Sequence, residues 1–222
     1  LPARLQFRVV CGTTGSGKSR LLETLAANGE QVLDLEKLAA HRGSLLGRLP
    51  DAPQPTQKMF ESQIWRALSQ FSSDRLVFVE SESKKIGNLR VPEKLMLHMR
   101  LSPCLRIDIS TDERVKLLIE DYPHLVRDTG QLLAQLEHLT PLHGHEKIRG
   151  WRALAESGDI PALVKALLED HYDPAYLKSI GRNFEGYKNA VVVGMPDITA
   201  ASFSVAAAGL TTRLEASGPE FT

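Results

Sequence analysis

The sequence predicts an α/β fold, in which an open and mostly parallel sheet is flanked by helices and followed by a C-terminal helical subdomain. Two observations lead to this prediction. Short apolar runs alternate with segments of helical periodicity, which is the pattern of strands joined by crossover helices. A glycine-rich stretch also joins the first apolar run to the first helical segment, at the sheet edge where ligands bind in such folds.

The strands are expected at five short, mostly apolar segments, of which Leu76 to Val79 is continuously apolar, as expected for a strand covered on both faces. In chain order these segments are Phe7 to Cys11, Gln31 to Leu35, Leu76 to Val79, Cys104 to Ile109 and Ala190 to Val193. Acidic residues follow two of them, with Asp34 and Glu36 at the end of the second and Glu80 at the end of the third.

The helices are expected where a capping residue or a proline precedes apolar residues at helical spacing. Thr56 precedes Phe60 and Ile64 in this way, and Ser110 to Glu113 form a capping box. The pattern is helical from Leu125 to Lys178, and an alanine-rich helix is expected near Ala200 to Ala208. The expected organisation is an α/β core over 1–124, a helical subdomain over 125–183, a last strand and helix completing the core over 184–214, and a frayed tail over 215–222.

The glycine-rich stretch fits the pattern G-x-x-x-x-G-K-[ST] between an apolar strand and a helix, which is the context of a P-loop. Its residues are Gly12, Thr13, Thr14, Gly15, Ser16, Gly17, Lys18 and Ser19. The glycines let successive backbone N–H groups converge, and the helix start adds partial positive charge, so the loop is expected to cradle a phosphate or diphosphate. Lys18 would reach the distal phosphate, and the Ser19 hydroxyl would ligate a metal ion.

Glu80 ends the third strand, where P-loop proteins place an acidic residue that holds the metal through water. The polar loop behind it contains Glu82, Ser83, Lys84 and Lys85, which we interpret as substrate-binding residues. A solvated loop in which Glu80 alone has a function is the alternative interpretation.

Two further segments are expected on the ligand side of the sheet. In the loop over 41–55, Arg42 is a candidate anion clamp with a catalytic role, and His41 and Ser44 are candidate substrate-binding residues. Gln54 and Gln57 place amide groups near a helix N-terminus, where they suit a base edge or a ribose but would equally serve as helix caps.

The composition excludes few partners. Lysine plus arginine and aspartate plus glutamate both number 27, so net charge gives no argument for nucleic acid. Cys11 and Cys104 form no disulfide or metal-ligand pattern, which favours a reducing compartment.

No apolar run approaches the roughly 18 residues of a membrane span, so we expect a soluble, cytoplasmic protein without membrane contact. Because the chain begins at Leu1 rather than methionine, we also expect a domain upstream.

Taken together, the ordered motifs resemble the C-terminal P-loop domain of the bacterial tRNA 2-selenouridine synthases. Besides the P-loop, the segments that carry the resemblance are Asp34 to Glu36, Ala40 to Ser44, Gln54 to Gln57 with Phe60 to Ser62, Glu80 to Ser83 with Ile86 and Gly87, and His171 to Pro174 with Tyr176. The resemblance covers nearly the whole chain, and its specificity lies in the order of the segments rather than in any one of them except the P-loop.

The resemblance implies an enzyme that modifies the wobble 2-thiouridine of tRNA. In this family the sulfur is geranylated from geranyl diphosphate, and selenium from selenophosphate then displaces the geranylated sulfur. An N-terminal rhodanese-like domain bears the cysteine for selenation. Neither Cys11 nor Cys104 lies in a rhodanese-type loop, so this chain alone is not expected to perform selenation.

Two other functions stay open at the level of the sequence. The P-loop, Ser19, an acidic strand end and scattered arginines also suit a small-molecule or nucleotide kinase that uses ATP with Mg²⁺. The arginines are Arg100, Arg106 and Arg114. Whether a transferase of this kind also binds ATP or GTP with Mg²⁺ is left open by the sequence. Against a kinase, the sequence has neither an arginine-rich lid segment nor a clear adenine-binding motif. A P-loop that only binds tRNA or regulates another domain is the third possibility.

Overall fold

The computed structural model describes residues 2–42, 53–123 and 129–216 of the 222-residue chain. The predicted site residue Ser44 lies outside the described residues, as does the end of the predicted tail, 217–222. The strands are β1 (Gln6–Cys11), β2 (Gln31–Leu33), β3 (Leu76–Glu80), β4 (Lys85–Ile86), β5 (Leu89–Arg90), β6 (Pro103–Asp108) and β7 (Gly186–Gly194). The α-helices are α1 (Lys18–Ala27), α2 (Leu35–Ala39), α3 (Gln57–Gln70), α4 (Glu93–Leu101), α5 (Thr111–Asp121), α6 (Thr129–Glu137), α7 (Thr140–Glu156), α8 (Ile160–Leu167), α9 (Asp173–Asn183) and α10 (Ala200–Ala216).

Five strands form one sheet in the order β2-β3-β1-β6-β7, and every pairing in it is parallel. The predicted α/β fold is therefore confirmed. Strand β1 lies at the centre, and the chain continues from β3 on one side of it to β6 on the other. This reversal places the carboxyl end of β1, and the loop after it, at the position where open α/β sheets bind ligands.

The hydrophobic core lies on both faces of the sheet. On one face Phe7 and Val9 of β1 belong to a cluster that includes Phe60 of α3 and Met99 of α4. On the other face Val10 packs with residues of α1, α5 and α10. Side chains of β1 are therefore buried on both sides of the sheet, which explains why its sequence is mostly apolar.

The helices from α6 to α8 build a third cluster around Trp151 and Leu163, which are 3% and 1% exposed. The helical pattern predicted from Leu125 is confirmed over the described residues from Thr129, with non-helical backbone angles at Gly144 inside α7. A π-helical turn, Leu168–Tyr172, connects α8 to α9. Helix α9 then packs against the sheet. Its residue Ile180 belongs to the hydrophobic cluster of β1, as does Phe184, which directly follows the helix.

Three regions of the chain differ from the sequence prediction. Strand β2 ends at Leu33 instead of Leu35, because Asp34 accepts a hydrogen bond from the backbone N–H of Lys37 and caps the short helix α2. The polar loop expected after Glu80 contains the antiparallel hairpin β4–β5. The last strand and helix are both longer than predicted, since β7 extends over Gly186–Gly194 and α10 over Ala200–Ala216. Within the described ranges, no helix is long and apolar enough to cross a membrane.

Candidate phosphate-binding site

The P-loop connects β1 to α1 through two left-handed glycines. Gly15 has a φ of 76° and Gly17 a φ of 84°, a region that favours glycine. A Cβ atom on Gly17 would also lie 2.5 Å from the Phe203 ring of α10, so this turn leaves no room for a side chain. Helix α1 begins at Lys18, directly after the turn, and its first N–H groups have no partner within the helix. This backbone geometry is the one that the predicted anion cradle requires, and the binding of an anion there stays a prediction.

Lys18 and Ser19 point to two different parts of the site. Lys18 Nζ donates a hydrogen bond to the Gly12 carbonyl at 2.8 Å, and the same ammonium lies 5.8 Å from the centre of the Tyr176 ring. Ser19 Oγ donates to Glu36 Oε2 at 3.1 Å. The two side chains therefore place a cation beside the loop and a hydroxyl beside a carboxylate.

Three glutamates, Glu36, Glu80 and Glu82, bring carboxylate oxygens within 4.8 Å of one another next to Ser19. Glu80 Oε1 accepts a hydrogen bond from the backbone N–H of Glu36 at 2.8 Å. Burial, followed by repulsion from Glu36, raises the pKa of Glu80 well above its usual range. The same two causes raise the pKa of Glu82 to about 8.

This carboxylate cluster fits a divalent cation. Glu80 is fully buried, and its Oε2 has no hydrogen-bond partner among the described residues. An orphaned carboxylate oxygen facing two further carboxylates is costly without a cation, and hard cations such as Mg²⁺ prefer oxygen ligands. The predicted metal ligands Ser19 and Glu80 are thus brought together, and Glu36 and Glu82 join them.

A cleft of about 1000 Å³ opens over the P-loop and the carboxylate cluster. One wall comes from the loop and α2, and the opposite wall comes from α5 and α9. Of the predicted substrate-binding residues, His41, Arg42, Glu82, Ser83 and Lys84 line this cleft. Glu82, Ser83 and Lys84 follow the carboxyl end of β3, whereas His41 and Arg42 follow α2, which begins just after the carboxyl end of the neighbouring strand β2.

Arg42 is held at the rim of the cleft by α5. Its Nη1 donates to the Asp121 carbonyl at 2.8 Å, and its guanidinium lies 4.8 Å from the centre of the Tyr122 ring. Burial lowers the pKa of His41, which favours the neutral imidazole. The positions of both residues agree with anion or substrate contacts, whereas a catalytic role for Arg42 stays a prediction.

Gln54 and Gln57 bind the hairpin β4–β5 rather than the cleft. Gln54 Nε2 donates to the carbonyls of Ala39 and Ile86, and its Oε1 accepts from the Asn88 N–H at 2.8 Å. Gln57 pairs with both backbone groups of Arg90, at 2.8 and 2.9 Å. The two amides complete the backbone pairing of a short hairpin, and neither residue is among those that line the cleft.

The hairpin carries the two predicted lysines. Ser83 Oγ donates to the Lys85 carbonyl, so Ser83 shapes the turn into β4. Lys84 lies at the mouth of the cleft, with its Nζ 3.8 Å from Glu93 Oε1. Lys85 is directly opposite Arg90 in the antiparallel pair, so these exposed side chains lie on one face of the hairpin.

From the sequence, no site role was assigned to Asp173 or Tyr176, and Arg114 was considered only as a phosphoryl-transfer residue of the kinase alternative. Arg114 is 4% exposed, donates from Nε to the Thr14 carbonyl and binds both carboxylate oxygens of Asp173. Tyr176 Oη accepts the N–H of Gly12 at 2.8 Å. The only signal in the sequence was the segment around Asp173 and Tyr176 that contributes to the family resemblance, because contacts between residues about 160 positions apart leave no periodicity.

The family that the sequence resemblance indicated is confirmed by a match to a known protein family. The chain matches the tRNA 2-selenouridine synthase AAA domain over residues 5–147. The chain belongs to this family. A tRNA 2-selenouridine synthase from Marinobacter nauticus is 31% identical over 199 residues, covering 77% of this chain and 53% of that protein. Another from Bdellovibrio bacteriovorus is 30% identical over 219 residues, covering 81% and 57%.

The chain spans about half the length of the relatives it matches. Two solved structures are also similar over most of its length. A gluconokinase from Sinorhizobium meliloti has a TM-score of 0.37 and 16% identity, with 96% of this chain and 97% of that chain covered. A shikimate kinase from Bacteroides thetaiotaomicron has a TM-score of 0.37 and 12% identity, with 95% and 98% covered.

Proposed function

We propose that this domain binds geranyl diphosphate and tRNA in the cytoplasm and catalyses S-geranylation of the wobble 2-thiouridine. The observation that carries the proposal is the cradle of N–H groups between Gly12 and Ser19, with Lys18 on one side and three carboxylates on the other. A diphosphate is the ligand class that such a cradle suits. The family assignment supports a tRNA-modifying enzyme as the whole protein.

In the proposed reaction the thiocarbonyl sulfur attacks the first carbon of the geranyl chain. The carbon–sulfur bond forms as the carbon–oxygen bond breaks, and the electron pair leaves with the diphosphate. The uridine then loses its N3 proton to solvent. Since negative charge grows on the departing oxygen, the N–H groups and Lys18 would stabilise the transition state more than the ground state.

Ser19, Glu36, Glu80 and Glu82 would hold a divalent cation beside the same diphosphate. Such a cation neutralises phosphate oxygens and makes the diphosphate a better leaving group. The Glu80 carboxylate also accepts a hydrogen bond from the backbone N–H of Glu36 in α2, so it holds Glu36 in the carboxylate cluster.

The proposed tRNA contacts lie at the mouth of the cleft, on Arg42, Lys84 and Lys85. The exposed pair of Lys85 and Arg90 supports this surface, because like charges directly opposite each other in a hairpin repel unless an anion lies over them. A phosphate backbone supplies such anions. The domain would act together with an N-terminal rhodanese-like domain, which would receive selenophosphate and perform the selenation.

Calorimetric titration tests which phosphate compound binds. We expect geranyl diphosphate with Mg²⁺ to bind, and the Lys18→Ala variant to bind it about 10- to 100-fold more weakly, because a charge-assisted hydrogen bond is lost. Lys178→Ala is the matched control, since Lys178 is exposed on α9 and does not line the cleft. Tight binding of ATP with Mg²⁺ and none of geranyl diphosphate would instead establish the kinase, which the same P-loop and carboxylates allow.

The salt dependence of tRNA binding tests the basic surface. Each lysine or arginine that contacts a phosphate contributes about one to the slope of log K against log salt. We therefore expect Lys84→Ala, Lys85→Ala and Arg42→Ala each to reduce the slope, and Lys188→Ala on β7 to leave it unchanged. An unchanged slope in all three variants would remove these residues from the interface.

A further inference from the structure

Two side chains of α9 reach the P-loop from outside the cradle. Asp173 and Tyr176 are three residues apart in this helix, so they lie on the same face. Tyr176 Oη accepts the N–H of Gly12 at 2.8 Å and lies 3.3 Å from Ser81 Oγ. The Gly12 carbonyl accepts from Lys18 Nζ, and Lys18 also faces the Tyr176 ring. One tyrosine therefore contacts both the first peptide of the loop and its lysine.

Asp173 reaches the other side of the loop through Arg114. The two carboxylate oxygens accept from Nη2 at 2.6 Å and from Nη1 at 2.9 Å, and Arg114 Nε donates to the Thr14 carbonyl at 2.9 Å. This bidentate pair fixes the plane of the guanidinium, so the position of the Thr14 carbonyl depends on Asp173. Arg114 is 4% exposed, which leaves bulk water little access to its guanidinium.

We propose that Asp173 and Tyr176 are positioning residues that hold the P-loop in its anion-binding shape. An anion cradle works only if carbonyl oxygens stay out of it, because a carbonyl that turned inward would repel the phosphate. Lys18 donates a hydrogen bond to the carbonyl of Gly12, and Arg114 donates one to the carbonyl of Thr14. Helix α9 contacts both donors, because the Tyr176 ring faces Lys18 and Asp173 binds Arg114. The inference rests on the proposed binding of a diphosphate.

Binding and helix docking are consequently linked. The bonds that shape the loop are the same bonds that hold α9 against it, so a diphosphate that requires the loop shape also favours the docked helix. Because such a coupling is reciprocal, docking of α9 must strengthen diphosphate binding by the same factor by which a bound diphosphate strengthens docking.

Inorganic pyrophosphate with Mg²⁺ is the probe for this inference. We expect Tyr176→Phe to bind pyrophosphate about tenfold more weakly, since the buried Gly12 N–H loses its acceptor while the ring is kept. Tyr187→Phe is the matched control, because Tyr187 is a neighbouring half-buried phenol that does not line the cleft. We expect the control to bind within twofold of the unmodified chain.

Hydrogen exchange at the Gly12 amide separates positioning from general stability. The Gly12 N–H should exchange faster in Tyr176→Phe than in Tyr187→Phe even when thermal unfolding of the two variants is the same. Pyrophosphate should also slow exchange over 173–183 in the unmodified chain, and Asp173→Asn should reduce this protection. Unchanged pyrophosphate affinity together with unchanged Gly12 exchange in Tyr176→Phe would overturn the inference.

The two proposals fail in different ways. If the unmodified chain binds neither pyrophosphate nor geranyl diphosphate, the proposed function is wrong. In that case the exchange rate of the Gly12 amide alone tests whether Tyr176 positions the loop. Faster exchange in Tyr176→Phe supports this role, and unchanged exchange refutes it.

Discussion

Glu82 illustrates how a single buried residue makes the stability of this domain depend on pH. Its pKa is raised from about 4.3 in an unfolded chain to about 8, mainly by burial and then by Glu36. Between these two values the folded protein therefore binds more protons than the unfolded protein. The contribution of Glu82 to stability is fully present below pH 4.3 and is lost as the pH rises towards 8.

We accordingly predict that, without divalent cations, the free energy of unfolding contributed by this cluster decreases from pH 5 to pH 8.5. Glu82→Gln should flatten this dependence, because a neutral amide stays neutral over the whole range. Urea unfolding at a series of pH values measures the effect, with Glu61→Gln on the exposed surface of α3 as the control. A dependence equally steep in Glu82→Gln would contradict the prediction.

At the scale of elements, the P-loop turn depends on α10. Gly17→Ala would put a methyl group where the Phe203 ring lies, at a φ of 84°. We predict a loss of stability of about 1–3 kcal/mol from crowding and backbone strain, together with weaker pyrophosphate binding. Gly150→Ala in α7 is the control, since nothing lies within 4 Å of its Cβ position. There we expect a gain of about 0.5–1 kcal/mol, and a Gly17→Ala variant as stable as the unmodified chain would contradict the prediction.

The hairpin β4–β5 gives a second prediction at this scale. Its two-residue strands need external partners, and Gln54 supplies three hydrogen bonds to Ala39, Ile86 and Asn88. Gln54→Ala should therefore destabilise the protein by about 1–3 kcal/mol in urea unfolding. Gln70→Ala, an exposed residue at the end of α3, should change stability by less than about 0.5 kcal/mol. Equal effects of the two variants would show that Gln54 does not brace the hairpin.

These elements also show what the sequence can and cannot predict. The P-loop, β1, β3 and β6 were predictable because local patterns determine them: a glycine-rich motif and short, mostly apolar segments. Helix α2 was missed because Asp34, which we expected at a strand end, caps a helix of only five residues. The roles of Gln54 and Tyr176 depend on partners far away in the chain, and a residue's own spacing pattern contains no information about such partners.

At the scale of the whole molecule, α9 connects two hydrophobic clusters. Ile180 belongs to the cluster of the sheet, while Tyr172 just before α9 packs against the cluster of α6 to α8. The proposed diphosphate site at the sheet edge and the packing of the helical cluster therefore meet at one helix. This arrangement explains how the P-loop, near the start of the chain, contacts residues from the last third of the chain.

The final prediction tests whether the helical cluster is a separate cooperative unit, as the expected boundary at 125–183 implies. Leu163 is 1% exposed, so Leu163→Ala should cost about 2–5 kcal/mol through the cavity it creates. Since its cluster is distinct from those on the sheet, hydrogen exchange should accelerate mainly in α6 to α8 and little in β1 and β3. Val79→Ala in β3 should accelerate exchange in both regions. If Leu163→Ala loosened β1 as much as α8, the sheet and the helical cluster would unfold as one unit.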